Sequence, residues 1–366
     1  MTIVHGGNVY ELASSAGCSP DDILDFSASI NPLGPPPGLA DMLMRYFHRL
    51  QHYPDINNRH LVDALSEFHG ISREYIVAGN GSTELIYWLP RALGVASALA
   101  VLPTFGEYRK AFELQDVDVQ KVLCKPENGF QPRLDQLAEA VQKGSPEAVL
   151  LTHPGSPGGG FLSSDVAEWI AERSRGGRIC IIDEVFIDFC EEHSFKGLLE
   201  GSPNLVIIRS LTKFYGLPGL RIGYLLTSPK IAERVRHFVP PWSVNTLAQL
   251  AGAYCLGQEE YRKKTLEVVA EQRLKMAEEL AAIPGLKVFP GEANYLLIEL
   301  DRRLPPSGVM RDEVFQSGRV LIRPCGSFEG LDDWYFRVAV RLPEQNEKLI
   351  GEIKRWMETY SSQLSS

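Results

Sequence analysis

One lysine stands out by its neighbours. Lys213 lies in the stretch Ser210-Leu-Thr-Lys213, directly after the apolar run Asn204 to Ile208, and Arg221 follows eight residues later. A lone lysine in such a turn is usually a solvated loop residue. Here Ser210 and Thr212 put hydroxyls beside it, Arg221 adds a guanidinium, and an upstream apolar run ends in Asp183. An amine able to form a Schiff base, hydroxyls and a guanidinium for a phosphate, and a carboxylate for a pyridinium nitrogen are the parts that hold pyridoxal 5′-phosphate. Asp183 would keep the ring nitrogen protonated, so that the ring accepts the electrons left when a bond at the substrate's α-carbon breaks.

Two further features fit the same chemistry. Gly81-Ser82-Thr83 lies at a strand-to-helix turn and offers backbone N–H groups and hydroxyls to a phosphate, although the same residues make an ordinary helix cap. Phe105, in Pro103-Thr-Phe-Gly106, is placed to stack on a cofactor ring, although aromatic residues more often fill cores.

These residues need a scaffold, and the hydrophobic pattern supplies one. The runs Tyr75–Ala78, Ala98–Leu102, Ala148–Thr152, Ile179–Ile182, Leu205–Ile208 and Ile222–Leu226 are apolar throughout rather than alternating, which suits strands covered on both faces. Helix-like segments separate them, so the fold class is α/β with a mostly parallel sheet. Each run ends in a polar or glycine-bearing turn, and ligands of open α/β sheets bind outside the carboxyl ends of the strands. Residues 246–282 read as one or two long connecting helices. Beyond them Leu286–Phe289, Asn294–Leu300, Val320–Arg323 and Trp334–Arg341 alternate like strands of a smaller α+β unit, closed by a helix from Glu344 to Tyr360. The expected division is a large cofactor-binding domain, 39–255, and a small domain formed by both termini, 1–38 and 256–366.

Composition narrows the function. The chain has 366 residues, a formal charge of −9 and no basic block, which argues against nucleic-acid or membrane-surface partners. No apolar run reaches the roughly 18 residues needed to span a bilayer, and the N-terminus lacks a signal-peptide pattern, so a cytoplasmic location is expected. The six cysteines are scattered singly without CxxC spacing, and no metal site is expected.

Taken together, Ser-x-x-Lys with its later arginine, the upstream Asp183-Glu-x-Phe186, the Gly-Ser-Thr turn and the aromatic after Pro-Thr resemble the fold-type I pyridoxal-phosphate enzymes, in that family's order along nearly the whole chain. The resemblance implies a homodimer with shared active sites, Lys213 as the Schiff-base residue, Asp183 on the pyridine nitrogen, Phe105 stacking, and Ser82, Thr83, Ser210 and Arg221 around the phosphate. It also implies that Tyr53, in His52-Tyr-Pro-Asp55, reaches the neighbouring subunit's site. The segments His5-Gly-Gly-Asn-Val-Tyr10, Asp25 to Pro36 and Phe336-Arg-Val-Ala-Val-Arg341 look most like the threonine-phosphate decarboxylases of cobalamin synthesis, relatives of the histidinol-phosphate aminotransferases. By that resemblance Arg337 meets the substrate carboxylate region, and His5, Asn31 and Arg323 are candidates for contacts with a small phosphorylated amino acid.

Four departures from the family pattern stand out. The usual Asn-Pro-x-Asn-Pro-Thr-Gly turn reads His153-Pro-Gly-Ser-Pro-Gly-Gly159, which puts Ser156 where an asparagine donates to the cofactor's phenolic oxygen. Phe186 replaces a tyrosine that often assists it. Ser29 stands where asparagine is common, and Arg323-Pro-Cys-Gly-Ser-Phe328 replaces Arg-Asp-Cys-Ser-Asn-Phe. The expected activity is decarboxylation of O-phospho-L-threonine or a near analogue. The alternatives are an aminotransferase of the histidinol-phosphate type and a catalytically altered protein that binds the cofactor without turnover.

Overall fold

The computed structural model describes residues 6–364. Strand β1 (Leu24–Asp25) comes first. Strands β2 (Ile76–Gly79), β3 (Ser97–Leu102), β4 (Asp118–Leu123), β5 (Ala148–Thr152), β6 (Ile179–Asp183), β7 (Leu205–Ser210) and β8 (Gly223–Thr227) form one seven-stranded sheet in the order β2-β8-β7-β6-β5-β3-β4. Only β8 runs against its neighbours β2 and β7; the other pairings are parallel. Alternate residues of the apolar runs serve opposite faces. Val149, Leu151, Ile182 and Ile207 pack into one core, while Leu150, Ile181, Val206 and Ile208 pack into another. Helices cover both faces, which is why these strands carry no polar alternation.

The expected strands of this sheet are all present, and one more is added. β4 was not anticipated because it is an edge strand paired with β3 alone and largely exposed, so its residues Asp-Val-Gln-Lys-Val-Leu are partly polar.

The connector is two helices, Thr246–Leu256 and Glu259–Ala281, broken at Gly257-Gln258. After it come β9 (Leu286–Phe289), β10 (Tyr295–Leu300), β11 (Val320–Leu321), β12 (Arg323–Pro324) and β13 (Tyr335–Ala339). A four-stranded antiparallel sheet has the order β12-β13-β10-β9, and β11 pairs in parallel with β1. The N-terminal segment is tied to these strands: Ala339 N–H donates to the Phe26 carbonyl at 2.9 Å and Arg341 Nη1 to the Asp25 carbonyl at 3.1 Å. No described helix is long and apolar enough to cross a membrane.

Topology then places the chemistry. The carboxyl ends of β2, β3, β5, β6 and β7 lie along one edge of the large sheet, and antiparallel β8 begins at that same edge. The turns carrying Ser82, Phe105, Ser156, Asp183 and Lys213 follow those ends, and Arg221 precedes β8, so one edge collects them all.

Candidate active site

A cavity of about 620 Å³ opens at this edge. Ser82, Thr83, Phe105, Ser156, Asp183, Phe186, Ser210, Thr212, Lys213, Arg221, Arg323 and Arg337 all line it. The volume is that of a site for a cofactor-sized ligand with a small substrate.

At one end the walls are built for an anion. Ser82 begins the helix Ser82–Leu93, so its first turn presents unpaired N–H groups. Gly81, at φ 78°, is required there: a Cβ on it would lie 2.4 Å from Arg221 Nη2. Gly223 is equally constrained, because its Cβ would sit 2.3 Å from the Ser82 nitrogen. Arg221 itself takes φ 58° and donates from Nη1 to the Pro218 carbonyl at 3.2 Å. Ser210 Oγ accepts from Thr212 N–H at 3.3 Å and lies 2.8 Å from Thr212 Oγ1, so the two hydroxyls face the same space.

Beside this cradle stand the reactive groups. Lys213 is half-buried, its Nζ 5.9 Å from the centre of the Phe186 ring. Burial, with the charges of Arg337 and Arg221, pulls its pKa down from 10.5 to about 8 despite Asp183. Asp183 is buried at the tip of β6 and accepts from the Val185 N–H at 2.9 Å. Burial pushes its pKa up to about 6, opposed by the Tyr108 hydroxyl, the Val185 N–H and Lys213. A carboxylate this deep is costly unless a cation sits against it. The protonated ring nitrogen of pyridoxal phosphate would be such a cation, with Phe105 as the ring's flanking wall. The residues present therefore fit that cofactor.

At the other end the cavity is lined by Ser27, Ser29, Arg323, Ser327, Phe328 and Arg337. Arg323 pairs directly with Arg337 across β12 and β13, and both are buried. Arg323 Nη2 donates to Ser327 Oγ at 3.0 Å, and burial together with Arg337 and Arg311 lowers its pKa to about 10. Ser29 Oγ is buried without a hydrogen-bond partner among the described residues.

Two of the described candidates fall elsewhere. Asn31 does not line the cavity; its amide nitrogen is within 2.6 Å of the Phe214 carbonyl, 2.9 Å of Tyr261 Oη and 3.0 Å of Thr265 Oγ1, while its oxygen accepts from Leu33 N–H. It braces the segment behind Lys213, whose carbonyl accepts from Asn31 N–H at 3.0 Å, and the cavity position expected of it is taken by Ser29. Tyr53 is 80% exposed and stacked on Trp242 at 4.8 Å between ring centres, outside the cavity of its own chain. His5 lies outside the described residues.

The altered loop has its own bracing. His153 Nδ1 accepts from Leu162 N–H at 3.2 Å and its Nε2 donates to the His193 carbonyl at 3.1 Å, a pattern only the neutral ring can make. Burial holds its pKa down near 4. The reading of motifs also missed Tyr108, which stands against Asp183 from the first turn of the helix Glu107–Glu113, and Glu107, which faces the cavity and accepts from the Tyr87 hydroxyl. The run Phe105-Gly-Glu-Tyr108 did carry a signal: residues three apart in a first turn share a face.

Residues 21–353 match the family described as aminotransferase class I and II. Over 353 residues the chain is 37% identical to the threonine-phosphate decarboxylase of Salmonella typhimurium, covering 96% of this chain and 95% of that one. It is 35% identical to an adenosylcobalamin biosynthesis bifunctional protein of Leptospira interrogans, covering 94% of this chain and 40% of that one. Among solved structures, the histidinol-phosphate aminotransferase of Clostridium acetobutylicum superposes with a TM-score of 0.85 at 27% identity, covering 91% of this chain and 99% of that one.

Proposed function

Because the chain belongs to the aminotransferase class I and II family, with pyridoxal 5′-phosphate as its cofactor, we propose that it decarboxylates O-phospho-L-threonine, or a close phospho-amino acid, to a phosphorylated amino alcohol for cobamide synthesis. The observation that carries this reading is the pair Arg323 and Arg337, two buried guanidiniums side by side on the cavity wall away from the Ser82 cradle. A substrate bearing both a carboxylate and a phosphate offers an anion to each. The names of the Salmonella and Leptospira relatives support the same choice.

When bound, the cofactor supplies an aldehyde for the substrate's amine and a ring that takes up the electron pair released at the α-carbon. The protein supplies the rest. Ser82, Thr83, Ser210, Thr212 and Arg221 would hold the cofactor phosphate, with Gly81 leaving room for the guanidinium. Asp183 would keep the ring nitrogen protonated, and Phe105, Phe186 and Ser156, which line the same cavity, would confine the ring. Lys213 would carry the cofactor at rest and, once its amine is free again, would hold a proton at Nζ for the substrate's α-carbon; its lowered pKa, about 8 as a free amine, suits proton transfer near neutral pH. Arg337 holds the substrate carboxylate, and Arg323, with Ser327 and Ser29 beside it, holds the substrate phosphate.

The division into a large domain, 39–255, and a small domain formed by both ends belongs to this reading and is supported by the separation of the two sheets. So does a homodimer. Met44, Phe47, Leu50, Tyr53, Ile56 and Trp242 are exposed apolar side chains of the kind an interface covers, and Tyr53 would enter the neighbour's cavity. The alternative is an aminotransferase of the histidinol-phosphate type, favoured by the likeness to the Clostridium structure. Incubating the cofactor-loaded protein with O-phospho-L-threonine and no 2-oxo acid decides between them: carbon dioxide release is expected, and strict dependence on an acceptor would favour the aminotransferase.

A further inference from the structure

We propose that Tyr295 is a positioning residue that sets the plane of the Arg337 guanidinium, and through it the angle at which the substrate carboxylate is presented to the cofactor ring. The proposal rests on the decarboxylase reading for its consequence, and on the geometry around Tyr295 for its mechanism.

In the β10–β13 pair Tyr295 is opposite Ala339 and Leu297 is opposite Arg337, so Tyr295 and Arg337 are diagonal neighbours on one face of the small sheet. The guanidinium carbon of Arg337 lies 4.9 Å from the centre of the Tyr295 ring. Arg337 Nε is buried and makes no hydrogen bond among the described residues, so no directional contact there at that nitrogen fixes the guanidinium plane. The aromatic face beneath it does so instead. Arg323, directly opposite on the other side, repels it toward that ring.

Tyr295 can serve as a reference surface because it is itself immobilised. It is fully buried, its hydroxyl donates to the Gly155 carbonyl at 2.7 Å, and the Ser156 hydroxyl lies beside it. Phe186 meets its ring edge-on, 4.9 Å between centres at 73°. Gly155, Ser156 and Phe186 belong to turns of the large sheet, which also carries Asp183 and Phe105. Tyr295 belongs to the small one. The residue therefore spans the elements that would hold the cofactor ring and the strand that carries Arg337, without lining the cavity itself.

The bond that breaks at the α-carbon is the one perpendicular to the cofactor ring, because its electrons can enter the π system. A tilt of Arg337 relative to that ring would change which bond this is. Tyr295 is thus a determinant of reaction choice that acts through another residue.

The test uses an amine-free pair of probes that cannot react with the cofactor: 3-(phosphonooxy)butanoate, which has carboxylate and phosphate, and isopropyl phosphate, which has only phosphate. Titration calorimetry on the cofactor-loaded protein gives the affinity ratio of the two, which isolates the carboxylate contact. A charge-assisted carboxylate contact corresponds to a preference of about tenfold for the acid in the unaltered protein. Tyr295→Phe keeps the ring and should keep that ratio within about twofold. Tyr295→Leu should bring it close to one without weakening isopropyl phosphate, and should raise 2-oxo acid formation relative to carbon dioxide release. If the Leu variant does not fold, Tyr295→Met serves the same purpose. A ring-less variant that keeps the full ratio, or a Phe variant that loses it, overturns the proposal. No carboxylate preference in the unaltered protein would overturn the role of Arg337 as well, whereas an intact preference without decarboxylation would remove only the decarboxylase reading.

Discussion

Arg323 and Arg337 are directly paired across β12 and β13, two buried like charges on neighbouring strands. Like charges placed opposite each other are destabilising, and an anion bound between them relieves that repulsion. Inorganic phosphate added to the cofactor-loaded protein should therefore stabilise it, by about 2.7 kcal/mol at a hundred times its Kd. In Arg323→Ala the stabilisation should shrink to the level seen with chloride at equal ionic strength. Thermal unfolding across a phosphate series measures it, and an unchanged phosphate response in the variant would detach Arg323 from anion binding.

Lys213→Ala should bind the cofactor without forming a borohydride-reducible linkage. Turnover should fall at least about a thousandfold if, as proposed, this residue both carries the cofactor and donates the proton. Mass spectrometry after borohydride treatment locates the linkage in the unaltered chain; a reduced adduct elsewhere would displace Lys213 from its role.

Asp183 gives a pH-dependent signature in the cofactor-free protein. Its folded pKa, about 6, lies above the ordinary 3.8. Between these values the folded chain binds a proton that the unfolded chain has lost, so this group's contribution to stability declines as pH rises through the window. Asp183→Asn removes that slope. Above about pH 6 the variant should be more stable than the original by up to about 3 kcal/mol, and below about pH 4 the two should converge. Parallel stability curves across the window would mean that the carboxylate is not raised. In the loaded enzyme the same substitution should cost most of the activity.

Ser29 Oγ is buried in the cavity wall with no partner among the described residues. If the substrate satisfies it, Ser29→Ala should weaken substrate binding by about fivefold, the worth of roughly 1 kcal/mol for one neutral hydrogen bond. Steady-state KM for O-phospho-L-threonine reports it, and an unchanged KM would leave Ser29 as wall only.

Much of the fold was legible in the sequence because the strands of a doubly covered sheet announce themselves as unbroken apolar runs, and the candidate site residues that line the cavity sit at the ends of those strands. Ala148–Thr152 was found to the residue. Edge strand β4 escaped because one neighbour and much solvent leave its side chains mixed. Asn31 was singled out for its residue type, yet an amide so close to Phe214, Tyr261 and Thr265 is spent on bracing the chain; the neighbouring serine, chemically blander, faces the cavity. Tyr295 was invisible for a different reason. It acts across a sheet pairing and between two parts of the chain some 140 residues apart, Gly155 and itself, and no local spacing encodes such a contact.

The most direct measurement of the central claim follows the substrate's nitrogen. Nitrogen-15-labelled O-phospho-L-threonine, incubated with the cofactor-loaded protein in deuterium oxide, loses its carboxyl group as carbon dioxide and gains one solvent deuteron at the same carbon in a decarboxylation. The account predicts a phosphorylated amino alcohol that retains the nitrogen-15 and carries one deuterium at the carbon that bore the carboxyl group. Nitrogen-15 appearing on an added 2-oxo acid, with the substrate's carboxyl group retained, would contradict it.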